Sequence, residues 1–383
     1  MQEKQQTRSQ ESGVESQAMR GASRPTSSLR PPAYSLRSAF TLTELLIVIA
    51  LIAVLAGLIA AAAVNAMRAA NRGRITLEIK NISGALENFK NDYGAYPPNG
   101  MNPGPVTGTP IAGSTAALVK SDFTRMFKKA FPRHQEPAVL IDAIAGITPP
   151  SSTVVTSGPV SDGLTAGEAL YFWLGGFSSD EQYPLSGTGG PSFLVGAGEV
   201  LEDRNRRYEF DLSRLVPRTD EGAFNEAAGR FLTYQITISG NVQQRRINFW
   251  RYTPSGSEQP LAYFDVSRHK PAQYDIWAAR PASGGIMEVR AFKEIRSGAT
   301  PAPGDPAAPV VQYVDQGKYQ ILHPGLDDDW GVEFANMKVE PISGGGDTKV
   351  EEVVLYPSGP FIGAIGDTLT SFTDGTLEDA VEE

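Results

Sequence analysis

The sequence predicts an α+β protein in which one long N-terminal helix packs on a mainly antiparallel sheet. Residues 45–93 keep a helical pattern without a proline, which favours one continuous helix. From Phe231 the apolar residues recur at every second position, which is the period of a strand with one buried face. Ser239-Gly240-Asn241 then separates two such runs, as a tight turn does in a hairpin. Helix period followed by strand period indicates a helix-on-sheet architecture.

The first part of the long helix is apolar on every side. Leu45 to Val64 contains twenty consecutive residues without a charged side chain. At about 1.5 Å of rise per residue this run covers roughly 30 Å, the thickness of a bilayer's hydrocarbon core. A single carboxylate, Glu44, directly precedes it, and such a group is either solvated at headgroup level or paired with a cation. The run is therefore long enough to span a membrane.

Beyond Val64 the helical pattern continues as an amphipathic half with one apolar stripe. The stripe residues are spaced alternately four and three apart, and they are Ile75, Ile79, Ile82, Leu86, Phe89 and Tyr93. The other face carries charged residues, namely Arg74, Glu78, Lys80, Glu87 and Lys90. We expect the helix to stop at Asp92 to Pro98, because Gly94 can cap it and two prolines cannot continue it.

The order Phe40-Thr41-Leu42-x-Glu44, followed by an unbroken aliphatic helix, resembles the N-terminal signature of type IV pilins and of the pseudopilins of type II secretion. The tail from Asp92 to Pro98 is similar to the end of the long helix in major pseudopilins. The resemblance implies a pilin-like fold with a loop-rich insertion. It also implies cleavage between Ala39 and Phe40 by a prepilin peptidase and methylation of the new amino terminus. Ala39 stands where that family usually has Gly.

By the same resemblance, Glu44 matches the acidic residue that pairs with the free N-terminal amine of a neighbouring subunit during assembly. The expected organisation is a leader at 1–39, a transmembrane and filament-core helix at 40–64, an amphipathic half at 65–98 and an extracytoplasmic head at 99–383. The leader is rich in Gln, Ser, Arg and Pro, without an apolar period. Arginines flank both ends of the apolar run, so charge does not orient it. An inner-membrane position with the head in the periplasm or outside the cell follows from the resemblance alone.

Within the head, two further helices are predicted at 114–131 and 165–174, the second ended by Gly175-Gly176. Residues 99–114 and 178–198 are expected to be loops, and a Pro/Ala/Gly linker is expected at 299–309. Besides the hairpin at 231–252, strands are predicted at 261–266, 285–292 and 349–355. The chain has no cysteine, so disulfides and thiolate metal sites are excluded.

Three consecutive acidic residues, Asp327, Asp328 and Asp329, precede Trp330-Gly331 on a polar stretch. Carboxylate and carbonyl oxygens are the ligands that Ca²⁺ takes, although the spacing matches no EF-hand. The Asp-Trp-Gly sequence resembles part of the calcium-binding region of major pseudopilins, without the intervening Pro. The alternatives are a calcium site on these aspartates and an acidic loop that is simply solvated. No other cofactor is expected.

Two chemical functions have little support in the sequence. The three histidines lie in unrelated contexts, and neither a Gly-x-Ser-x-Gly elbow nor a His-Glu-x-x-His motif occurs, so the chain is not expected to be an enzyme. Arg245 to Tyr252 interleaves arginine with aromatic residues, a pattern that single-stranded nucleic acid can use. The net charge of −9 argues against nucleic acid as a partner, and we expect these arginines outside the sheet with the aromatics in the core.

The expected function is a structural subunit of a type II secretion pseudopilus or a type IV pilus-like filament. Its partners would be copies of itself and other pilin-like subunits, the prepilin peptidase, an inner-membrane assembly platform and the membrane. The competing interpretation is an extracytoplasmic binding protein or hydrolase that uses residues 1–66 only for targeting. A cleaved secretory signal is disfavoured, because its apolar core normally has about 7–15 residues.

Overall fold

The computed structural model describes residues 41–100, 113–147, 154–157, 163–268, 277–278, 289–295, 311–330, 338–341, 348–352, 355–359, 361 and 363–382. The described helices are α1 (Leu42–Tyr93), α2 (Gly113–Ala130), α3 (Ala138–Ile144), α4 (Ala166–Leu174) and α5 (Leu377–Glu382). The chain divides into two units between Ala60 and Ala61. The amphipathic half of α1 therefore belongs to the same unit as the head.

The strands are short apart from one hairpin. They are β1 (Val155–Ser157), β2 (Ser192–Leu194), β3 (Leu215–Val216), β4 (Arg230–Ile238), β5 (Asn241–Phe249), β6 (Arg251–Tyr252), β7 (Ala262–Asp265), β8 (Trp277–Ala278), β9 (Val289–Arg290), β10 (Lys293–Ile295), β11 (Val311–Tyr313), β12 (Tyr319–His323), β13 (Lys338–Pro341), β14 (Thr348–Glu352), β15 (Leu355–Tyr356) and β16 (Leu369–Thr370).

The main sheet has the order β1-β4-β5-β2 and is antiparallel throughout. Its central hairpin pairs Arg230 with Phe249 and Ile238 with Asn241. The two residues between the strands, Ser239 and Gly240, both have positive φ, at 53° and 81°. This is the backbone that a two-residue hairpin turn requires. The predicted hairpin is confirmed.

A second sheet has the order β16-β12-β7 and is also antiparallel. A third, β11-β10-β15, contains the parallel pair β10 and β15. The remaining described pairs are β13 with β14, β3 with β6 and β8 with β9, all antiparallel. The α+β class with a long N-terminal helix on antiparallel sheets is thus confirmed.

The apolar stripe of α1 forms one wall of the larger core. Ile75, Ile79, Ile82, Leu86 and Phe89 are buried there with residues of α4 and of the main sheet. α1 ends at Tyr93, and Gly94 follows with φ 69° and donates its N–H to the Lys90 carbonyl, as a C-cap does. The predicted end of the helix is confirmed.

The Tyr-Pro-Pro tail after α1 is fixed inside the head. The indole N–H of Trp173 donates to the Pro98 carbonyl at 3.0 Å, and the Tyr263 hydroxyl donates to the Pro97 carbonyl at 2.7 Å. Trp173 belongs to α4, whose nine residues are all buried. Thr165 caps α4 through a reciprocal capping box with Glu168. The chain direction after α1 is therefore set by two buried aromatic donors.

A second core lies between the β16-β12-β7 sheet and α5. Phe264, Phe292, Leu322, Trp330 and Leu377 are buried in it. Gln320 is fully buried there and donates from its amide to the carbonyls of Phe292 and Val314. These contacts join segments that are distant in sequence, so this core depends on tertiary contacts rather than on local pattern.

Several sequence expectations are changed by the structure. The expected loop at 178–198 contains β2, and α3 was not predicted. Of the strand expected at 285–292, the described part contains only β9. Of the strand predicted at 349–355, the described residues contain β14, which ends at Glu352, and the first residue of β15, Leu355. The linker at 299–309 lies outside the described residues.

Candidate functional site

The N-terminal end of α1 is closed by a capping box between Thr41 and Glu44. The backbone N–H of Thr41 donates to Glu44 Oε2 at 2.8 Å, and the Thr41 hydroxyl donates to the same oxygen at 2.9 Å. In return the backbone N–H of Glu44 donates to Thr41 Oγ1 at 3.2 Å. This reciprocal pair satisfies donors that a helix start otherwise leaves without partners. The carboxylate of Glu44 is thereby held against Thr41 at the start of the helix.

Both side chains of this box are exposed. Among the residues that the structure describes, no Lys or Arg forms an ion pair with Glu44. A carboxylate has about four acceptor positions, so two hydrogen bonds from Thr41 leave room for a cation. The predicted processing residues, Ala39 and Phe40, lie outside the described residues. Cleavage there and pairing of Glu44 with an amine stay predictions.

The apolar run Leu45 to Val64 is exposed at every position. Its large side chains include Leu58 and Ile59, which are 68% and 67% exposed. Such a surface in water is far above what a soluble protein tolerates. Within the described part of the chain, α1 is the one helix long and apolar enough to cross a membrane. This indicates single-pass membrane anchoring.

The outermost face of the amphipathic half carries no charge. Eight exposed positions three or four residues apart form this face, which we call the outer stripe: Ala66, Ala70, Gly73, Leu77, Asn81, Gly84, Asn88 and Asn91. A helix face that only meets water usually carries charged residues. Leu77, at its centre, is 59% exposed, and a Cβ added to Gly73 or Gly84 would meet no atom within 4 Å.

The charged residues that the sequence pattern places opposite the apolar stripe flank the outer stripe. Glu78 accepts hydrogen bonds from the Tyr252 hydroxyl at 3.0 Å and from the Ser255 backbone at 3.2 Å. Lys80 pairs with Asp374 at 3.1 Å. Because these side chains reach the head, the most exposed side is left to small and uncharged residues. The sequence contains a signal for this face, because the positions three or four residues apart from 66 to 91 are all uncharged.

The three aspartates proposed for calcium have separate roles in the structure. Asp328 accepts the Ser257 hydroxyl and the backbone N–H groups of Glu258 and Gln259. Asp327 accepts the backbone N–H of Asp329 at 3.1 Å. No group of three potential metal-ligating side chains occurs among the described residues. A calcium site on these aspartates stays a prediction without support from the described geometry.

A partly buried His–Ser–Asp chain connects two loops of the head. His323 Nδ1 accepts the Gly325 backbone N–H at 3.1 Å, so the ring proton is on Nε2, which lies 2.8 Å from Ser257 Oγ. Ser257 in turn donates to Asp328. Burial lowers the pKa of His323 to about 4, so the ring is neutral at pH 7. A base for Ser257 would need a free lone pair facing it, and this ring presents a proton. The arrangement therefore clamps the loops and does not activate the serine.

The arginines of β5 are used within the head. Arg245 donates to the Ser186 carbonyl, and Arg246 pairs with Glu226 and stacks 3.9 Å from the Phe231 ring centroid. Ile247, Phe249 and Trp250 are buried. The arginines are thus half-buried rather than fully outside, and their guanidinium groups are already engaged.

Comparison with models of known protein families, with curated proteins and with solved structures gives no match for this chain. The resemblance to pilins therefore depends on the residues from Ala39 to Pro98 themselves.

Proposed function

We propose that this chain is a structural subunit of a type II secretion pseudopilus or a type IV pilus-like filament. It is inserted as a prepilin, cleaved between Ala39 and Phe40, methylated at Phe40 and then assembled with copies of itself and other pilin-like subunits. A prepilin peptidase and an inner-membrane assembly platform act on it. The head is displayed in the periplasm or outside the cell.

The observation that carries the proposal is the exposure of α1. The exposed apolar side chains of Leu45 to Val64 are stable against the lipid tails of a bilayer, whereas their exposure to water is unfavourable. A helix that leaves the membrane must exchange lipid for another apolar surface, and copies of the same helix provide one. The uncharged outer stripe extends that surface along the amphipathic half, where Gly73 and Gly84 permit close approach of a second helix. Bundled α1 helices account for both features.

Glu44 has a defined part in this scheme. A carboxylate at the edge of the membrane is costly to leave without a cation. Its capping box with Thr41 reduces that cost in the single subunit. In the filament the free amine of Phe40 on a neighbouring copy neutralises it and fixes the axial register.

Two substitutions at Glu44 separate its charge from its capping role. Glu44→Gln keeps an acceptor that can complete the capping box, whereas Glu44→Ala removes both functions. We expect both variants to be inserted and processed at Phe40, and both to lose at least tenfold in the fraction recovered as filament. The measurement is the amount of chain in sheared filaments relative to membranes, with the N-terminal peptide mass as the control for processing.

Normal assembly of Glu44→Gln would contradict pairing with an amine and leave capping as the role of Glu44. If neither wild type nor variants are processed and the chain is released in soluble form, the alternative of a secreted or anchored binding protein or hydrolase replaces the proposal.

A further inference from the structure

The unit Ala61–Glu383 carries surfaces of opposite charge at two separate levels of α1. We call them the basic end, at residues 120–133 with Lys128 and Lys129 as its exposed centre, and the acidic end, at residues 363–382. Neither has a role in the helix bundling proposed above.

The basic end belongs to α2 and the turn after it. Residues 120–133 contain five Lys or Arg and one acid, Asp122. Arg125 is matched by Asp122 at 3.1 Å and Arg133 by Glu181 at 3.2 Å. Lys128 and Lys129 are exposed and take part in no ion pair with another described residue. Burial and the charge of Lys128 together lower the pKa of His134, so that ring adds no further charge at pH 7.

The basic end lies beside the C-terminal end of α1. The Lys129 ammonium nitrogen is 2.9 Å from the point that a Cβ on Gly94 would occupy. Gly94 is the residue that follows α1 directly. The Lys129 ammonium group is therefore at the level of the last turn of α1.

The acidic end lies beside the first turns of the amphipathic half. Residues 363–382 contain five Asp or Glu and no Lys or Arg. Asp367 pairs with Arg72 and Asp374 pairs with Lys80. Asp374 is still 97% exposed at its side chain. Glu378 is exposed and forms no ion pair within the described part of the chain. Counted with Arg68, Arg72, Arg74, Glu78 and Lys80 of α1 at the same level, these five acids leave a net charge of −2.

The two ends cannot neutralise each other within one copy. Lys80 and Gly94 are fourteen positions apart on or next to α1, about 21 Å at 1.5 Å of rise per residue. The Debye length at physiological ionic strength is about 8 Å. Each end is therefore an uncompensated surface that attracts the opposite charge from outside.

We propose that the acidic end of one copy docks on the basic end of the next copy of this chain. The inference rests on the proposed filament function and adds a head contact to it. The two patches differ, so the contact is heterologous, and repeating it gives an open chain of copies rather than a closed dimer. Complementary charge of this kind selects the partner and the register.

The native chain has no cysteine, which permits a direct cross-linking test. The full chain with Lys128→Cys and Glu378→Cys is oxidised mildly in its native membranes and sheared filaments. Disulfide formation requires Cα atoms within about 7 Å, and the two ends of one copy are about 21 Å apart along α1, so we do not expect the two cysteines of one copy to pair. We expect a ladder of dimers, trimers and longer products. The matched control combines Glu378→Cys with Glu221→Cys, an exposed acid outside both ends, and is expected to give no ladder.

A charge exchange gives an independent readout. Lys128→Glu with Lys129→Glu is expected to reduce filament recovery about tenfold, and adding Asp374→Lys with Glu378→Lys is expected to restore most of it. Absence of the ladder, an equal ladder in the control, or failure of the exchange to restore assembly overturns this inference. A processed, methylated Phe40 in recovered filaments without the ladder leaves the proposed function intact. Loss of processing itself contradicts the proposed function instead.

Discussion

Leu77 and Ile79 lie two residues apart on α1 and are placed in opposite environments. Leu77 is 59% exposed on the outer stripe, whereas Ile79 is 1% exposed in the core. Leu77→Glu is expected to change the free energy of unfolding by no more than about 0.5 kcal/mol, as surface substitutions usually do. Ile79→Ala removes buried methyl groups and is expected to cost about 2–5 kcal/mol. At roughly 2–4 °C per kcal/mol, the second variant loses about 4 °C or more in Tm.

Filament assembly should be weakened more by substitutions at Leu77 than by Ile79→Ala. Full burial of a Leu side chain gains about 1.5–3 kcal/mol. Because Leu77 is 59% exposed in a single subunit, a neighbouring helix that covers it can supply about three fifths of this free energy. The contact is then worth about 1–2 kcal/mol, a factor of about 5–30 in the association constant. Leu77→Ala should lose this factor, and Leu77→Glu should lose more because it places a charge in the contact.

The assay pairs thermal unfolding of the full chain in detergent with recovery of sheared filaments from cells. Ile79→Ala, adjusted for the amount of folded protein, serves as the control that changes stability without changing the outer stripe. Filament recovery of Leu77→Glu at the wild-type level would refute the role of this face. A fall in its Tm comparable to that of Ile79→Ala would refute its placement outside the core.

Two further predictions concern stability of the head. Burial lowers the pKa of His323 from 6.5 to about 4. The contribution of the neutral ring to the free energy of unfolding is therefore complete above pH 6.5 and decreases by up to about 3 kcal/mol as the pH falls toward 4. His323→Gln should flatten this part of the stability profile in denaturant titrations, and an unchanged slope would contradict the assignment. Glu168 is buried and pairs with Arg230, so Glu168→Gln removes the charged partner from a largely buried ion pair and should cost about 3 kcal/mol. Glu221→Gln, at an exposed residue, is the control for this variant. An equally small change in the free energy of unfolding of both variants would refute a stabilising role of the Glu168–Arg230 pair.

The long helix, its end at Gly94 and the β4-β5 hairpin could be predicted because each depends on local pattern. The stripe from Ile75 to Phe89 repeats with the helical period, and Ser239-Gly240 supplies the backbone that the turn needs. The α4 capping box is likewise encoded within four residues, Thr165 to Glu168. Signals of this kind do not require knowledge of the rest of the fold.

Other features arise only when distant segments meet. His323 and Ser257 are 66 residues apart in sequence, and Glu78 finds its partners in Tyr252 and Ser255. The sequence pattern placed Glu78 opposite the apolar stripe, and periodicity alone does not reveal which flank of a helix the head reaches. β2 has three residues and no alternation of its own, so only its pairing with β5 defines it. For Asp327 to Asp329, adjacency in sequence does not by itself group three ligating side chains within the described residues, and the calcium site stays a prediction.

The mass of the N-terminal peptide of the protein recovered from native membranes and sheared filaments decides whether the chain is processed as a prepilin. Cleavage between Ala39 and Phe40 with methylation predicts a peptide that begins with N-methylated Phe40. A peptide beginning near Val64 or Ala66 would indicate an ordinary secretory signal and contradict the filament proposal.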